Sequence, residues 1–349
     1  MLLSRNRSKF YVRPIFGKKN SNSICLGSSL LHFSKIELIE RKNKKVKKNI
    51  VPLNRLNELP KDVQTKVKEK LKVINKSLPI IHKINFKSPC IMGILNITPD
   101  SFYDGGEYFS KKLAIEKYRK MLKEGAKIID IGGESTRPGA KRISVDEEMS
   151  RVIPVITEIR KKNKKSLISL DTRKPQVMGG GIRLGVNFIN DVSGLRYNKK
   201  TLQLLKKNKT PFILMHSISS PENMQKKIKY DDVLLDVYDF FEKQIEKCKK
   251  ASIDPKRIII DPGIGFGKTV KQNLNLISNI SLFHSLGFPI LLGASRKSFI
   301  GKLSKNALNN DCLGGSIATV LFALSQGVQI FRVHDVHETN QAIKVFTNI

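Results

Sequence analysis

Polar side chains recur at the ends of apolar runs along this chain, and their types suggest a joint chemistry. In order they are Asn96; Asp130 with Gly132, Gly133 and Glu134; Asp171 and Thr172; Asn190 and Asp191; Met215 and His216; Asp261; Ser295, Arg296 and Lys297; and Arg332, His334 and Asp335. Carboxylates and amides offer acceptors and donors to a polar heterocycle, while Lys297 and Arg332 offer positive charge to an anion. Arg332 and His334 stand two residues apart and so share one face of a strand. Two anion-binding groups on one face favour a phosphate site over a packing role.

Other motifs have blander readings. The run 261–268, DPGIGFGK, fails both phosphate-loop patterns: Pro262 stands where the Walker motif needs its first glycine, and Lys268 where the dinucleotide fingerprint needs its third. It reads as a strand end whose glycines let the backbone and Phe266 approach a flat ligand. The run 132–139, GGESTRPG, places Arg137 on a loop, with an ordinary turn as the alternative. His216 reads as a hydrogen-bonded residue beside the site rather than a metal ligand, because no second His or Cys stands at ligand spacing. Cys25, Cys90, Cys248 and Cys312 are far apart and form no C-x-x-C pair, so neither a zinc site nor a disulfide framework is suggested, and a cytoplasmic location fits.

These groups need elements to position them. From residue 90 the text repeats an apolar run, a polar loop and a helical pattern. Strands are predicted at 90–96, 127–133, 166–172, 188–194, 211–217, 257–263, 289–295 and 330–335, and helices at 111–124, 146–162, 175–184, 199–207 and 231–250 among others. Eight such units in the last 260 residues, with near-continuous apolar strands, predict an α/β fold of the (β/α)8 TIM barrel type. A doubly wound open sheet is the runner-up. In a barrel the strand ends gather on one face, which would bring the polar residues together. Three consecutive glycines, 179–181, lie where the third helix should run; at about 1 kcal/mol each against Ala they should make it the weakest.

Residues 1–85 read as a basic N-terminal extension of unknown role, with residues 90–349 forming the barrel. Only 61–74 has helical periodicity, with Val63, Val67, Leu71 and Ile74 on one face. The net charge of the 349 residues is +34, and it is densest at the front: residues 1–90 hold 22 Lys and Arg against 5 Asp and Glu. Residues 41–48, RKNKKVKK, read as a solvated, partly disordered segment rather than a nucleic-acid patch, because no aromatic residues interleave with the charge. A chain starting near His82 is therefore expected to fold and turn over unaided. No apolar run is long enough to span a membrane, and the Arg-rich opening only faintly resembles a transit peptide.

The motifs MGILNITPDSF, IIDIGGESTRPG, SLDTRKP, FINDVSG, LMH, IIIDPGIGFGK, LLGASRKSFIG and FRVHDV, in this order from Ile91 to near the C-terminus, resemble those of dihydropteroate synthases. The resemblance implies a (β/α)8 transferase of folate biosynthesis, a sulfonamide target, that joins 6-hydroxymethyl-7,8-dihydropterin diphosphate to p-aminobenzoate with Mg²⁺ and releases pyrophosphate. It implies that Asp171, Asn190, Asp261 and Lys297 hold the pterin, with Met215 and Phe266 lining it and Asp171, Asp261 and Lys297 acting in catalysis. Asn96, Arg332 and His334 would face the diphosphate, with Asn96 also a Mg²⁺ ligand. Phe102, Thr136, Arg137, Pro138 and Ser298 would face p-aminobenzoate. It also implies a homodimer, and neither a membrane nor a nucleic acid as partner. The pattern departs from the family at Tyr103, at 178–181 and at Ser217 and Ile218. Gly and Pro punctuate the loops bearing Asp100, Phe102 and Arg137, so p-aminobenzoate is expected to bind only after diphosphate closes them. A pterin-binding methyl-transfer domain is the nearest rival, against which GGESTRPG and SRKS argue; a non-catalytic paralogue or basic RNA-binding barrel is the rival from another class.

Overall fold

The computed structural model describes residues 8–98, 106–135, 140–218, 228–304 and 312–349. It contains two β-sheets, one of four strands and one of eight.

The front of the chain is folded. Strands β1 (Lys9–Gly17), β2 (Ile24–Cys25), β3 (His32–Lys42) and β4 (Lys45–Pro52) form an antiparallel sheet with β3 at its centre, and helix α1 (Lys61–Asn75) follows. The basic run expected to be partly disordered is the β3–β4 hairpin, in which Lys42 pairs with Lys45 and Asn43 takes a left-handed φ of 53°. Alternation gives the sheet two working faces. Val12, Phe33, Ile36, Leu38 and Val51 form a core with Val63, Val67, Leu71 and Ile74 of α1. Tyr11 and Ile39, paired across β1 and β3, belong instead to the core of the second sheet's domain. Residues 1–85, in which only 61–74 shows a helical pattern in the sequence, thus build a core of their own. Burial of both faces breaks the period-two pattern, and the lysines of β4 obscure what remains.

The second sheet is the predicted barrel. Its strands are β5 (Cys90–Asn96), β6 (Ile128–Gly132), β7 (Leu167–Asp171), β8 (Phe188–Asp191), β9 (Phe212–Met215), β10 (Ile258–Asp261), β11 (Leu291–Leu292) and β12 (Ile330–Val333). All pairings are parallel and sequential, β12 pairs back onto β5, and a parallel bridge between Ile260 and Ile290 joins β10 to the seventh strand segment. Helices α2 (Gly106–Lys123), α3 (Val145–Lys162), α4 (Pro175–Arg183), α5 (Lys200–Asn208), α6 (Val233–Lys250), α7 (Val270–Ser278), α8 (Ser298–Leu303), α9 (Leu313–Ser325) and α10 (Val336–Asn348) follow the strands, two of them in the seventh unit. The β12–β5 pairing and the Ile260–Ile290 bridge together close the sheet and exclude the runner-up open sheet.

Strand residues facing the helices, such as Ile129, Ile131, Leu170 and Phe331, build the outer core. Those facing the axis at the N-terminal end, including Met92, Ile128, Phe188, Ile213 and Ile259, pack against Ile81, Ile84 and Phe86 of the connector, which plugs that end. The three-glycine run lies in α4, where a Cβ on Gly180 would come 3.1 Å from Ile153 of α3 and one on Gly181 would overlap Leu170 of β7. The glycines let α4 sit close to the sheet.

Candidate active site

At the C-terminal end of the barrel the same inward alternation produces a polar row. Asn96, Gly132, Asp171 and Asn190 are register partners across β5, β6, β7 and β8. Gly132 leaves a gap in this row, since a Cβ there would stand 3.4 Å from the Asp171 Cβ and 3.7 Å from the Asn96 Oδ1. Asp261 ends β10 next to Met215, its partner on β9.

Charge pairs cross this end of the barrel. Arg332 donates from Nε to Asp130 Oδ2 at 2.6 Å and from Nη2 to Asp171 Oδ2 at 2.8 Å. Asn190 Nδ2 donates to the same Asp130 oxygen at 3.0 Å, which turns its Oδ1 away, buried and without a partner among the described residues. Asp130, fully buried one layer below the row, thus orients both an amide and a guanidinium. Sequence reading placed Asp130 at a strand end and gave it no role; its inward i, i+2 spacing with Gly132 was the available signal. Burial pushes the Asp171 carboxyl up against the opposing pull of Arg332, with neighbouring Asp130 adding to the rise. Burial likewise pushes Asp261 up to about 6, although the Gly263 N–H donates to its Oδ1 at 2.7 Å and Lys297 and Arg332 pull the other way.

The glycine-rich run after β10 folds back over the site. Gly263 and Gly265 have φ of 68° and 84°; a Cβ on the first would collide with the His216 carbonyl, and one on the second would come 3.1 Å from Lys297 Cδ. Glycine is needed at both for backbone conformation and for close approach. The loop carries Phe266, whose ring lies 4.2 Å from Lys297 Nζ. Buried Lys268 fastens the loop from beneath, donating to Gly263 O at 2.8 Å, Phe266 O at 3.0 Å and His216 Nδ1 at 3.0 Å. His216 is therefore engaged by Lys268. Burial lowers Lys297 to about 8, helped by Arg332 and opposed by Asp261 and Asp171.

His334 lies near Arg332 as its spacing implied, but not as a cation. Burial first, then Arg332, Arg296 and Lys297, depress it to about 3, and its Nδ1 is 3.1 Å from the Ser295 hydroxyl. In the tautomer that accepts from Ser295 at Nδ1, the neutral ring presents Nε2–H. Ser298 is exposed at the first position of α8, directly after Lys297. Phe102, Thr136, Arg137 and Pro138 lie outside the described residues, as do Asp100 and Tyr103. The base of the loop bearing Arg137 is described: Glu134 pairs with Arg173 and Lys174, each at 3.0 Å, and Lys174 pairs with buried Glu148 at 2.6 Å. These charges tie the loop after β6 to the loop after β7, a link that sequence alone does not reveal. No group of three or more His, Cys, Asp or Glu able to hold a metal ion occurs among the described residues.

A family model described as pterin binding enzyme matches residues 92–334. The chain is 43% identical over 262 residues to the dihydropteroate synthase of Escherichia coli strain K12, covering 75% of this chain and 92% of that one. Against the Bacillus subtilis enzyme identity is 42% over 255 residues, covering 73% and 86%. Among solved structures, dihydropteroate synthase from Yersinia pestis with a sulfonamide drug complex aligns with a TM-score of 0.71 and 40% identity, covering 76% of this chain and 95% of that one. The Xanthomonas albilineans enzyme in complex with 7,8-dihydropteroate aligns at 0.69 and 37%, covering 76% and 95%. A polar row of this make at the open end of a parallel barrel, and identity of this extent, place the chain in the pterin-binding enzyme family, among the dihydropteroate synthases.

Proposed function

We propose that this chain condenses 6-hydroxymethyl-7,8-dihydropterin diphosphate with p-aminobenzoate to give 7,8-dihydropteroate and pyrophosphate. The observation that carries the reading is the buried row of Asp171, Asn190 and Asp261 beside the cations Lys297 and Arg332. A pterin edge alternates donors and acceptors, and the unpartnered Asn190 Oδ1 is an acceptor left for such a ligand. Unmatched buried groups would penalise a wrong heterocycle. Met215 and Phe266 line the ring.

In the reaction the bond from the pterin methylene to the diphosphate oxygen breaks, the bond from that carbon to the amine nitrogen forms, and the amine gives up a proton to solvent. Asp171 and Asp261 stabilise positive charge on the methylene as the leaving group departs. Lys297 hydrogen-bonds the pterin, and Arg332 with the His334 Nε2–H receives the diphosphate. No covalent enzyme nucleophile is required. Ser298, with Phe102, Thr136, Arg137 and Pro138, receives p-aminobenzoate. Asn96 would hold Mg²⁺, an ion that takes oxygen donors, keeps waters and shares substrate phosphates, so one amide oxygen suits it. When bound it would neutralise charge on the leaving diphosphate.

The assay is direct: pterin diphosphate, Mg²⁺ and p-aminobenzoate are incubated with the protein and dihydropteroate is sought by chromatography. Its absence, with pterin still bound, would favour the methyl-transfer reading. Sulfonamides are expected to compete with p-aminobenzoate. A homodimer is part of this proposal, because Leu274 of α7, Phe322 of α9 and Val345 and Phe346 of α10 are apolar and exposed on neighbouring helices. Light scattering giving a monomer at micromolar concentration would remove it. A cytoplasmic location is also proposed, on four unpaired cysteines and the absence, among the described residues, of any helix long and apolar enough to cross a membrane.

A further inference from the structure

The sheet at the front of the chain touches the barrel through a charged seam with α6 that leads to the site. Arg41 and Lys9 are register partners on β3 and β1 and share the sheet face turned to α6. Lys9 meets Asp239 at 2.6 Å and Glu242 at 2.5 Å, and the Tyr11 hydroxyl donates to Asp239 at 2.9 Å. Arg41 does something different. It donates to Asp236 Oδ1 at 2.7 Å, while Asp236 Oδ2 accepts from the backbone N–H groups of Asp231 and Asp232 at 2.9 and 3.3 Å. Lys44, at the hairpin turn, lies 3.5 Å from Asp231. The segment so held contains Tyr230, whose hydroxyl donates to Gly267 O at 3.1 Å. Gly267 stands between Phe266, which packs on Lys297, and Lys268, which fastens the loop.

We infer that the N-terminal sheet is a positioning element of the pterin pocket, acting from Arg41 through Asp236 and Tyr230 on the 262–268 loop. The inference rests on the pterin reading of that pocket. Its physical basis is that Asp236 has both oxygens committed, one to the sheet and one to the backbone preceding α6. Asp231 keeps Lys44 and Asp239 keeps Lys9, but releasing Arg41 leaves Asp236 with no cation, and its carboxylate is then free to turn away from the backbone N–H groups of Asp231 and Asp232 that hold the segment anchoring Gly267. Lys9 offers a comparison within the same seam, since Asp239 and Glu242 do not touch the 230–232 segment in the same way.

The test uses the full chain. Calorimetric titration with the pterin diphosphate, the p-aminobenzoate KM at saturating pterin and amide hydrogen exchange of residues 228–232 and 262–268 are compared for wild type, Arg41→Ala, Arg41→Lys and Lys9→Met. Arg41→Ala is expected to weaken pterin binding roughly 2- to 30-fold and speed exchange in 262–268, with the p-aminobenzoate KM unchanged. Arg41→Lys should restore most of both, and Lys9→Met should lower the melting temperature without altering either. Equal pterin affinity for wild type and Arg41→Ala would overturn the inference, as would equal losses in Arg41→Ala and Lys9→Met. If the wild type itself bound no pterin, the functional reading would fail, and the exchange of 262–268 would still decide the relay.

Discussion

Single side chains in this site act mainly by fixing one another. Asp130 accepts from both Arg332 and Asn190 on one oxygen, so Asp130→Ala, which removes that acceptor, should release both. Hydrogen bonds to charged groups contribute about 1.5–3 kcal/mol, so pterin affinity measured by calorimetry is expected to fall about 10- to 150-fold. Asp261 gives a pH effect of known sign. Its folded value of about 6 stands above the ordinary 3.8, so between these the folded protein takes up the proton more readily than the unfolded chain, and this group's contribution to unliganded stability grows as pH falls. The ligand needs the carboxylate. The increase in melting temperature caused by pterin should therefore shrink as pH drops through about 6, and Asp261→Asn should flatten that change; a pH-independent increase in the wild type would refute the role. That Asp171, Asn190, Asp261, Lys297 and Arg332 gather at one end of the barrel was legible because each stands at or just beyond the end of an apolar run. The partnership of Asp130 with Arg332 was not, since 202 residues separate them and only barrel closure brings them together. Nor was the lowered basicity of His334, which depends on burial and on four cations, Arg332, Arg296, Lys297 and Lys117.

At the scale of elements, the eight units could be read because parallel strands buried on both faces are nearly continuous apolar runs. Glycine content predicted a weak third helix, but propensity gives no view of what lies against a helix. The packing around α4 separates its glycines. A Cβ on Gly179 would meet nothing closer than 3.6 Å, whereas one on Gly181 would enter Leu170. Chemical denaturation should find Gly179→Ala more stable by about 0.5–1 kcal/mol and Gly181→Ala less stable by about 1–3 kcal/mol. Similar losses at both positions would mean that α4 is not held against β7 as described. The N-terminal strands were illegible for the opposite reason: two faces are buried, so Tyr11 and Val12 or Leu38 and Ile39 stand side by side and break a period of two, and lysines dominate the composition of 41–48.

For the whole molecule, the front of the chain and the barrel are one structure. Tyr11 packs edge-on to Tyr238 with ring centroids 5.2 Å apart, Ser281 donates to Pro14 O, and Ile81 helps plug the barrel's closed end. A chain starting near His82 loses all three, and fully burying an aromatic of this size contributes about 1.5–3 kcal/mol. The expected outcome is now the reverse of the one drawn from composition: the shortened chain should be less soluble and melt lower, and an unchanged melting temperature would contradict the docking. The docking of the front sheet on α6 also sets an order in time. During synthesis the hairpins of residues 9–52 and helix α1 emerge first and need only near neighbours, while α6, against which they dock, comes some 160 residues after α1. At about 5–20 residues per second that interval is on the order of ten seconds or more. Through it the nascent sheet must wait with Tyr11 and Ile39 uncovered, and the dense lysines around them, which add nothing to the finished core, are well suited to keep a waiting ribosome-bound intermediate from associating with its neighbours on the same message.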